Sequence, residues 1–344
     1  MRDPLIEYNR QLSIKAWAEQ GKRALNESFK NTPLGVAGSS IGSGGAVVGS
    51  EPEPPVPVPV SATLSLTVDA TANPYTFGFE ITASAERGLT VVVNWDGSDI
   101  TTTQVAAGEI KQVIGYKYTS ADIFTPVIEF SDVSAVEGLF FDWPVNNGGS
   151  GRIIDILDSG LVELKALTEL SFTENRIPLL DLSRLGSPLQ TVSVVSDDTL
   201  ETFIIENSNI GELVLANCNS LISFTGTGSE FTENLVISGN KSLSNLDISD
   251  IKILYGLDIS QNTVLTAFDP PSANSLAGEG LIITTRDSPI AQTRVDKLLS
   301  AIYNSDILIG TLDLVGSDAP SAAGLQTIKS LTKSPRDWTI DYTV

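Results

Sequence analysis

Apolar residues recur in pairs separated by one residue through the second half of the chain: Leu170/Phe172, Leu180/Leu182, Val192/Val194, Phe203/Ile205 and Leu213/Leu215, then Leu235/Ile237, Leu246/Ile248 and Leu257/Ile259. Phe224 and Phe268 fall at the expected places between them, and the step is about 11 residues throughout. Alternation with period two marks a short strand with one buried face. Leu221, Leu243 and Leu265 each precede the next strand by three residues, and asparagines sit in the turns at Gly239-Asn240, Gln261-Asn262 and Asn217-Cys218-Asn219. A unit this short cannot enclose its own apolar side chains. Stacking must do it, so the pattern predicts a solenoid with two units per coil of about 22 residues.

The pattern changes on either side. Residues 3–30 predict an amphipathic helix, with Asp3 as N-cap, Pro4 in the first turn, and Leu5, Tyr8, Leu12 and Ala16 at three- and four-residue spacing, while Trp17, Leu25 and Phe29 add bulk. Residues 35–50 are nearly all Gly, Ser, Ala and Val, too poor in bulk to order themselves. The run from Glu51 to Val60, rich in proline, predicts a polyproline strut of roughly 30 Å. A sticky helix, a tether and a spacer in series are the layout of an anchor; the alternative is an ordinary interdomain linker. Residues 61–145 alternate as strands do, at Leu64/Leu66/Val68 and again at 77–81, 89–95, 113–118 and 127–130, which predicts a β-sandwich. Beyond the repeats, Ser288-Pro289 predicts a helix start, with Val295, Leu298, Leu299 and Ile302 on one face. A strand at 307–314, a second helix from Pro320 and a closing strand at Asp337-Trp338-Thr339-Ile340 would complete a cap from about residue 286. The fold class expected is mainly β and modular: an anchoring helix (1–30), a linker (31–60), a sandwich (61–145) and a solenoid with an α/β cap (150–344).

Three stretches resemble known families. Val91-Val92-Val93-Asn94-Trp95-Asp96-Gly97-Ser98 resembles the strand and turn of polycystic-kidney-disease-type (PKD) domains, although one glycine of that pattern is missing and Tyr116-Lys117-Tyr118 stands where the family has His-Thr-Tyr. The resemblance implies an immunoglobulin-like fold used as a spacer or adhesion module, without catalysis. Ser242-Leu243-Ser244-Asn245-Leu246-Asp247-Ile248-Ser249 and Tyr255-Gly256-Leu257-Asp258-Ile259-Ser260 resemble short leucine-rich repeats of bacteria and phages. The tail from Gly310-Thr311-Leu312-Asp313-Leu314 to Trp338-Thr339-Ile340 resembles a C-terminal cap of phage structural proteins with such repeats. Together these imply a bacteriophage virion protein of the fibre, spike or decoration kind.

Composition narrows the chemistry. The chain has 344 residues, a formal net charge of -21, no histidine and one cysteine. Such a field repels nucleic acid and anionic membrane. Without histidine the commonest general base and transition-metal ligand are gone, and one thiol forms neither a disulfide within the chain nor a cysteine zinc site. Met1-Arg2-Asp3-Pro4-Leu5-Ile6-Glu7 leads into charged sequence, so no secretion signal and no membrane span are expected. The expectation is a chain made and kept in cytosol, or assembled there into a particle that later leaves; the resemblances imply the second, a virion surface after synthesis in a host cytoplasm.

If alternate units lie on opposite sheets, Asp181, Asp247 and Asp269 share a column with Ile204 and Thr225. This is either an acidic strip facing a cation or sugar, or a row of solvated positions. Paired carboxylates allow a third reading, a glycosidase or polysaccharide depolymerase, which needs two acids about 5–9 Å apart in a cleft. Asp96, Asp99 and Asp122 suit either Ca²⁺ or β-turns. Gly42, Gly44 and Gly45 lack the Lys-Ser/Thr of a phosphate loop. Cys218 reads as a small buried filler. The expectation is therefore a non-enzymatic protein without cofactor, homo-oligomeric, docked on other virion proteins through Leu5, Tyr8, Leu12, Trp17 and Phe29, and meeting a host-surface glycan or protein through its solenoid. A bacterial cell-surface adhesion module is the competing class.

Overall fold

The structure, a computed structural model, describes residues 60–342 apart from 73–75, 143–150, 158 and 187. The expected helix at 3–30 and the linker up to residue 59 lie outside the described residues. What is described is mainly β, with a β-solenoid of about 5 turns.

The first strands form two antiparallel groups. Strands β1 (Ala62–Asp69), β3 (Leu89–Asn94), β4 (Ile100–Val105), β6 (Ile123–Phe124) and β7 (Val127–Phe130) make one sheet in the order β4-β3-β7-β1-β6, and β9 (Arg152–Leu157) also pairs with β1. Strands β2 (Thr76–Ala83), β5 (Gln112–Lys117) and β8 (Val136–Phe141) form the second group. Inward side chains of the two groups meet: the ring of Phe77 lies edge-on to Trp95 at 6.5 Å, and both residues are buried. The strands predicted at 77–81, 89–95, 113–118 and 127–130 are all present within a residue or two; β4, β6, β8 and β9 were not predicted.

The second group does not stop at the first region. Strand β8 pairs antiparallel with β2 on one side and parallel with β10 (Glu169–Thr173) on the other. From there the parallel ladder runs through β12 (Thr191–Val195), β14 (Asn209–Ala216), β16 (Glu230–Ser238), β19 (Gly256–Asp258), β21 (Leu281–Thr284), β22 (Ile309–Leu314) and β23 (Asp337–Tyr342). One sheet therefore crosses the boundary expected near residue 150. Phe141 of β8 stacks on Phe172 of β10 at 5.2 Å, and the Arg176 guanidinium reaches Asp69 at 2.9 Å, tying the first coil to β1.

The opposite side of the solenoid carries the alternate short units. β11 (Leu179–Asp181), β13 (Thr202–Ile204) and β15 (Ser223–Thr225) form one small parallel sheet; β17 (Asn245–Asp247) and β20 (Ala267–Asp269) form another. A four-residue helix α1 (Ser159–Val162) precedes the repeats. Helices α2 (Gln292–Asn304) and α3 (Ala322–Leu331) follow β21 and β22 in the chain. α2 buries Val295, Leu298, Leu299 and Ile302, as its spacing predicts. Its start corrects the expectation: the N-cap is Ala291, because the Ser288 hydroxyl is committed elsewhere, accepting from Asn262 N–H at 3.1 Å and donating to Ile259 C=O at 2.7 Å.

Those bonds belong to a buried polar spine. Asn175, Asp197, Cys218, Asn240, Asn262, Ser288 and Ser317 occupy equivalent places in successive coils and are all buried. Each follows a residue with positive φ: Glu174, Ser196, Asn217, Gly239, Gln261, Asp287 and Gly316. The left-handed step turns the chain away from the sheet and aims the next side chain inward. Asn262 Oδ1 accepts from Asn240 N–H at 2.9 Å while its Nδ2 donates to the carbonyls of Ile237 (2.7 Å) and Ile259 (2.8 Å). Asn240 repeats the device one coil earlier, accepting from Cys218 N–H (2.8 Å) and donating to Leu215 C=O (3.0 Å). The spacing is 22 residues at these coils and widens to 26 and 29 where the η-turn at Ala273–Ser275 and α2 are inserted. Buried amide groups at turns need such partners, since an unmade bond costs about 1–3 kcal/mol.

Candidate binding face

Strand pairing lines up outward side chains across the long sheet. One row reads Val113, Glu80, Phe140, Ser171, Ser193, Val214, Val236, Asp258, Thr284, Asp313 and Asp341, each opposite the next. All are at least partly exposed except Phe140, which Lys111 covers with its ammonium 4.1 Å from the ring centre. A neighbouring row, from Glu169 through Thr191, Glu212 and Asn234 to Gly256, Ile282, Thr311 and Thr339, lies beside it. The middle of the face is β-branched at Val195, Val214 and Val236, with Glu212 beside them; further carboxylates lie at Glu80 and Glu169 and at Asp258, Asp313 and Asp341.

Several polar groups on the face already bond to one another. Asp142 accepts from the hydroxyls of Ser171 (2.9 Å) and Thr173 (2.6 Å), and Asn234 donates to Glu212 at 3.1 Å. Arg286 sits between Asp313 (2.7 Å) and Asp341 (3.7 Å). This preorders the surface and leaves the valines as its least satisfied part.

The acids expected to share a column fall on two sheets. Asp181 is in register with Ile204, and Ile204 with Thr225; Asp247 is directly opposite Asp269 in the separate two-stranded sheet. The strand ladder is interrupted between β15 and β17, although the two strands remain neighbours in the stack. Asp181 is exposed and bonds its own turn, accepting from Ser183 N–H (2.9 Å) and hydroxyl (2.6 Å). Asp247 accepts from Ser249 N–H at 3.0 Å, and this bond, with Lys297 and Arg294 nearby, holds its carboxyl below the usual range. Asp269 is bonded by Arg294 and by Lys297 Nζ, the latter at 2.9 Å. Helix α2 therefore brings two cations, one turn apart, onto an acid pair. That closure was missed from the sequence, although Arg294 and Lys297 at three-residue spacing on a helix were its signal.

The arrangement is ill suited to acid catalysis. A general acid needs a raised pKa, and Asp247 is shifted the other way while Asp269 is already salt-bridged. Beside it lies an open groove of about 360 Å³ bordered by Asp250, Pro271, Lys297 and Asn304. A second, of about 540 Å³, runs between residues 273–279 and 304–309. Asp96 forms a turn, accepting from Ser98 and Asp99 N–H; Asp122 accepts from Ile123 N–H, and Asp99 accepts from the Tyr116 hydroxyl on another strand. That last bond pushes the Tyr116 hydroxyl up to about 12. Among the described residues no group of three or more carboxylates or thiols could hold a metal ion, and no helix is long and apolar enough to cross a membrane. The expected anchor residues Leu5, Tyr8, Leu12, Trp17 and Phe29 lie outside the described residues, as do Gly42, Gly44 and Gly45.

Cys218 is more than filler. Its thiol points to Val194 C=O at 3.6 Å and accepts from Asp197 N–H, and burial pushes it up to about 12, so it stays protonated and serves as one rung of the spine. No protein-family model matches the chain, and no curated protein is similar to it.

Proposed function

We propose that the chain is a non-enzymatic surface protein of a bacteriophage virion, whose long sheet is a binding face for a host-surface glycan or protein. In this reading residues 61–145 are an immunoglobulin-like, PKD-like module, the coils are leucine-rich repeats, and the N-terminal helix docks on another virion component. The observation that carries the binding role is the unbroken outward row from Val113 to Asp341, one continuous line of facing side chains across the long sheet. Partly apolar surfaces with charged neighbours are suited to macromolecular recognition. The virion assignment is supported by the resemblances at 91–98, 242–260 and 310–340 and by the anchor-like order of helix, tether and strut.

Two measurements test the two halves. Purified particles formed with a chain lacking residues 1–50 should have lost the protein, by immunoblot and electron microscopy; full incorporation would refute the anchor. Val214→Arg with Val236→Arg should reduce host-cell binding at least tenfold while leaving the melting temperature within a few degrees. Binding at the original level would remove the face from consideration.

A further inference from the structure

A strand at the margin of a sheet presents unpaired N–H and C=O groups that will pair with another strand unless something prevents it. Among the described residues, the marginal strands longer than three residues are β4, β5, β9 and β23. Three of them are guarded. β5 ends in Lys117 and follows Lys111, β9 carries Arg152 and Asp155, and β23 carries Asp337 and Asp341. Charges at these places oppose addition of a strand.

β4 has no such guard. It reads Ile100-Thr101-Thr102-Thr103-Gln104-Val105, without charge, proline or glycine, and the uncharged run continues through Gly108. It pairs with β3 residue for residue over its whole length, with none of the register shifts seen at β1–β9, β2–β8 and β14–β16. Ile100 is 63% exposed. The inner side is fastened: Trp95 Nε1 donates to Thr101 Oγ at 2.8 Å, and Val105 is buried. The result is a regularly paired, neutral margin on a chain of net charge -21.

We propose that β4 joins the β4 of a second copy of this chain, antiparallel and about a two-fold axis, to make one sheet across the pair. Two features select a second copy as the occupant. First, repulsion between like acidic molecules is least here, at the long margin free of ionised side chains. Second, the strand is self-complementary. A two-fold axis perpendicular to the sheet keeps outward residues opposite outward residues, so it passes through Thr102 or Thr103. Either choice sets threonines against threonine, glutamine or valine, all neutral, a favourable cross-strand arrangement. Either also sets Asp99 opposite the partner's Val105 or the partner's Ala107, never opposite a carboxylate. This inference goes beyond the proposed function and does not rest on it, since the margin and the long sheet's outer face are different surfaces.

Sedimentation velocity on the full chain across a hundredfold concentration range should show a reversible monomer–dimer equilibrium. Thr102→Lys with Gln104→Lys, both outward and exposed, should shift it to monomer with an unchanged far-UV circular dichroism spectrum. A wild-type chain that is monomeric throughout overturns the proposal, and so does a lysine variant that dimerises as before. A second measurement is independent of how that variant folds. Thr102→Cys and Thr103→Cys chains, oxidised at dilute concentration, should give a disulfide-linked dimer from whichever position lies on the axis, the native Cys218 being buried and unable to reach across. Absence of a dimer from both overturns the pairing.

Discussion

Asp197 shows how one position in a repeating structure takes on a pH dependence its neighbours lack. Equivalent places hold Asn175, Asn240 and Asn262, neutral amides that both donate and accept. Asp197 only accepts, from the N–H groups of Ile177 (3.0 Å), Thr199 (3.0 Å) and Leu200 (3.1 Å). Burial nevertheless dominates and raises its carboxyl above the ordinary 3.8, against the pull of those bonds. A group whose folded pKa is raised holds its proton longer folded than unfolded. Stability from that source is present below 3.8 and falls as pH rises through the folded value. Asp69 and Asp247 act in the opposite sense: with lowered values, their contribution is present above 3.8 and is lost in acid. Asp197→Asn should therefore gain stability relative to the parent chain as pH rises from 4 to 8, read as a widening difference in melting temperature. A difference that stays flat with pH would show that the carboxyl titrates normally in the fold.

At the scale of the element, the recurring unit is strand, left-handed step, inward polar side chain. Gly239 takes its step with φ +72, where an added Cβ would meet Asn217 Oδ1 at 2.5 Å; Ser196, Asn217 and Gln261 take the same step with side chains, at some conformational expense. Asn240 and Asn262 share a bond, so they are not independent. Asn240→Ala and Asn262→Ala should each lower unfolding free energy by about 1–3 kcal/mol, and the double variant by less than the sum, in urea denaturation. Strict additivity would mean that the spine is a set of separate contacts. The coils were legible in sequence because burial repeats: Leu221, Leu243 and Leu265, and the pairs at each strand, are all buried as the pattern predicts. The spine was only half legible. Asn240 and Asn262 are visible as turn asparagines, but Asp197, Cys218 and Ser288 do the same work with different chemistry, and a pattern of residue types does not join them. The helix start was misplaced for the same reason: Ser288 looks like a cap until its spine partners are known.

The whole described unit is joined by one sheet and one core. Buried side chains are continuous from Ala62 to Trp338, and β8 belongs equally to the antiparallel first region and the parallel coils. The first region thereby supplies the rung that shields the first coil, the part a capping element plays in a solenoid. On the unaltered chain, melting followed by tryptophan fluorescence, which reports the buried Trp95 and Trp338, and by far-UV circular dichroism should coincide, and calorimetry should show one transition. Two separated transitions would mean that the shared sheet does not couple the regions.

The period and the burial of the repeat strands were settled by the amino-acid order alone, because alternation and spacing are local properties that any fold must honour. The absence of histidine, the single thiol and the acidic charge likewise bounded the chemistry without any structure. Tertiary structure decided the rest. It carried the sheet across residue 150, interrupted the strand ladder between β15 and β17, laid Arg294 and Lys297 on Asp269, and left β4 at a margin. Each of these is a relation between residues far apart in the chain, set by how strands register and where a cap helix comes to lie, and no local pattern encodes it.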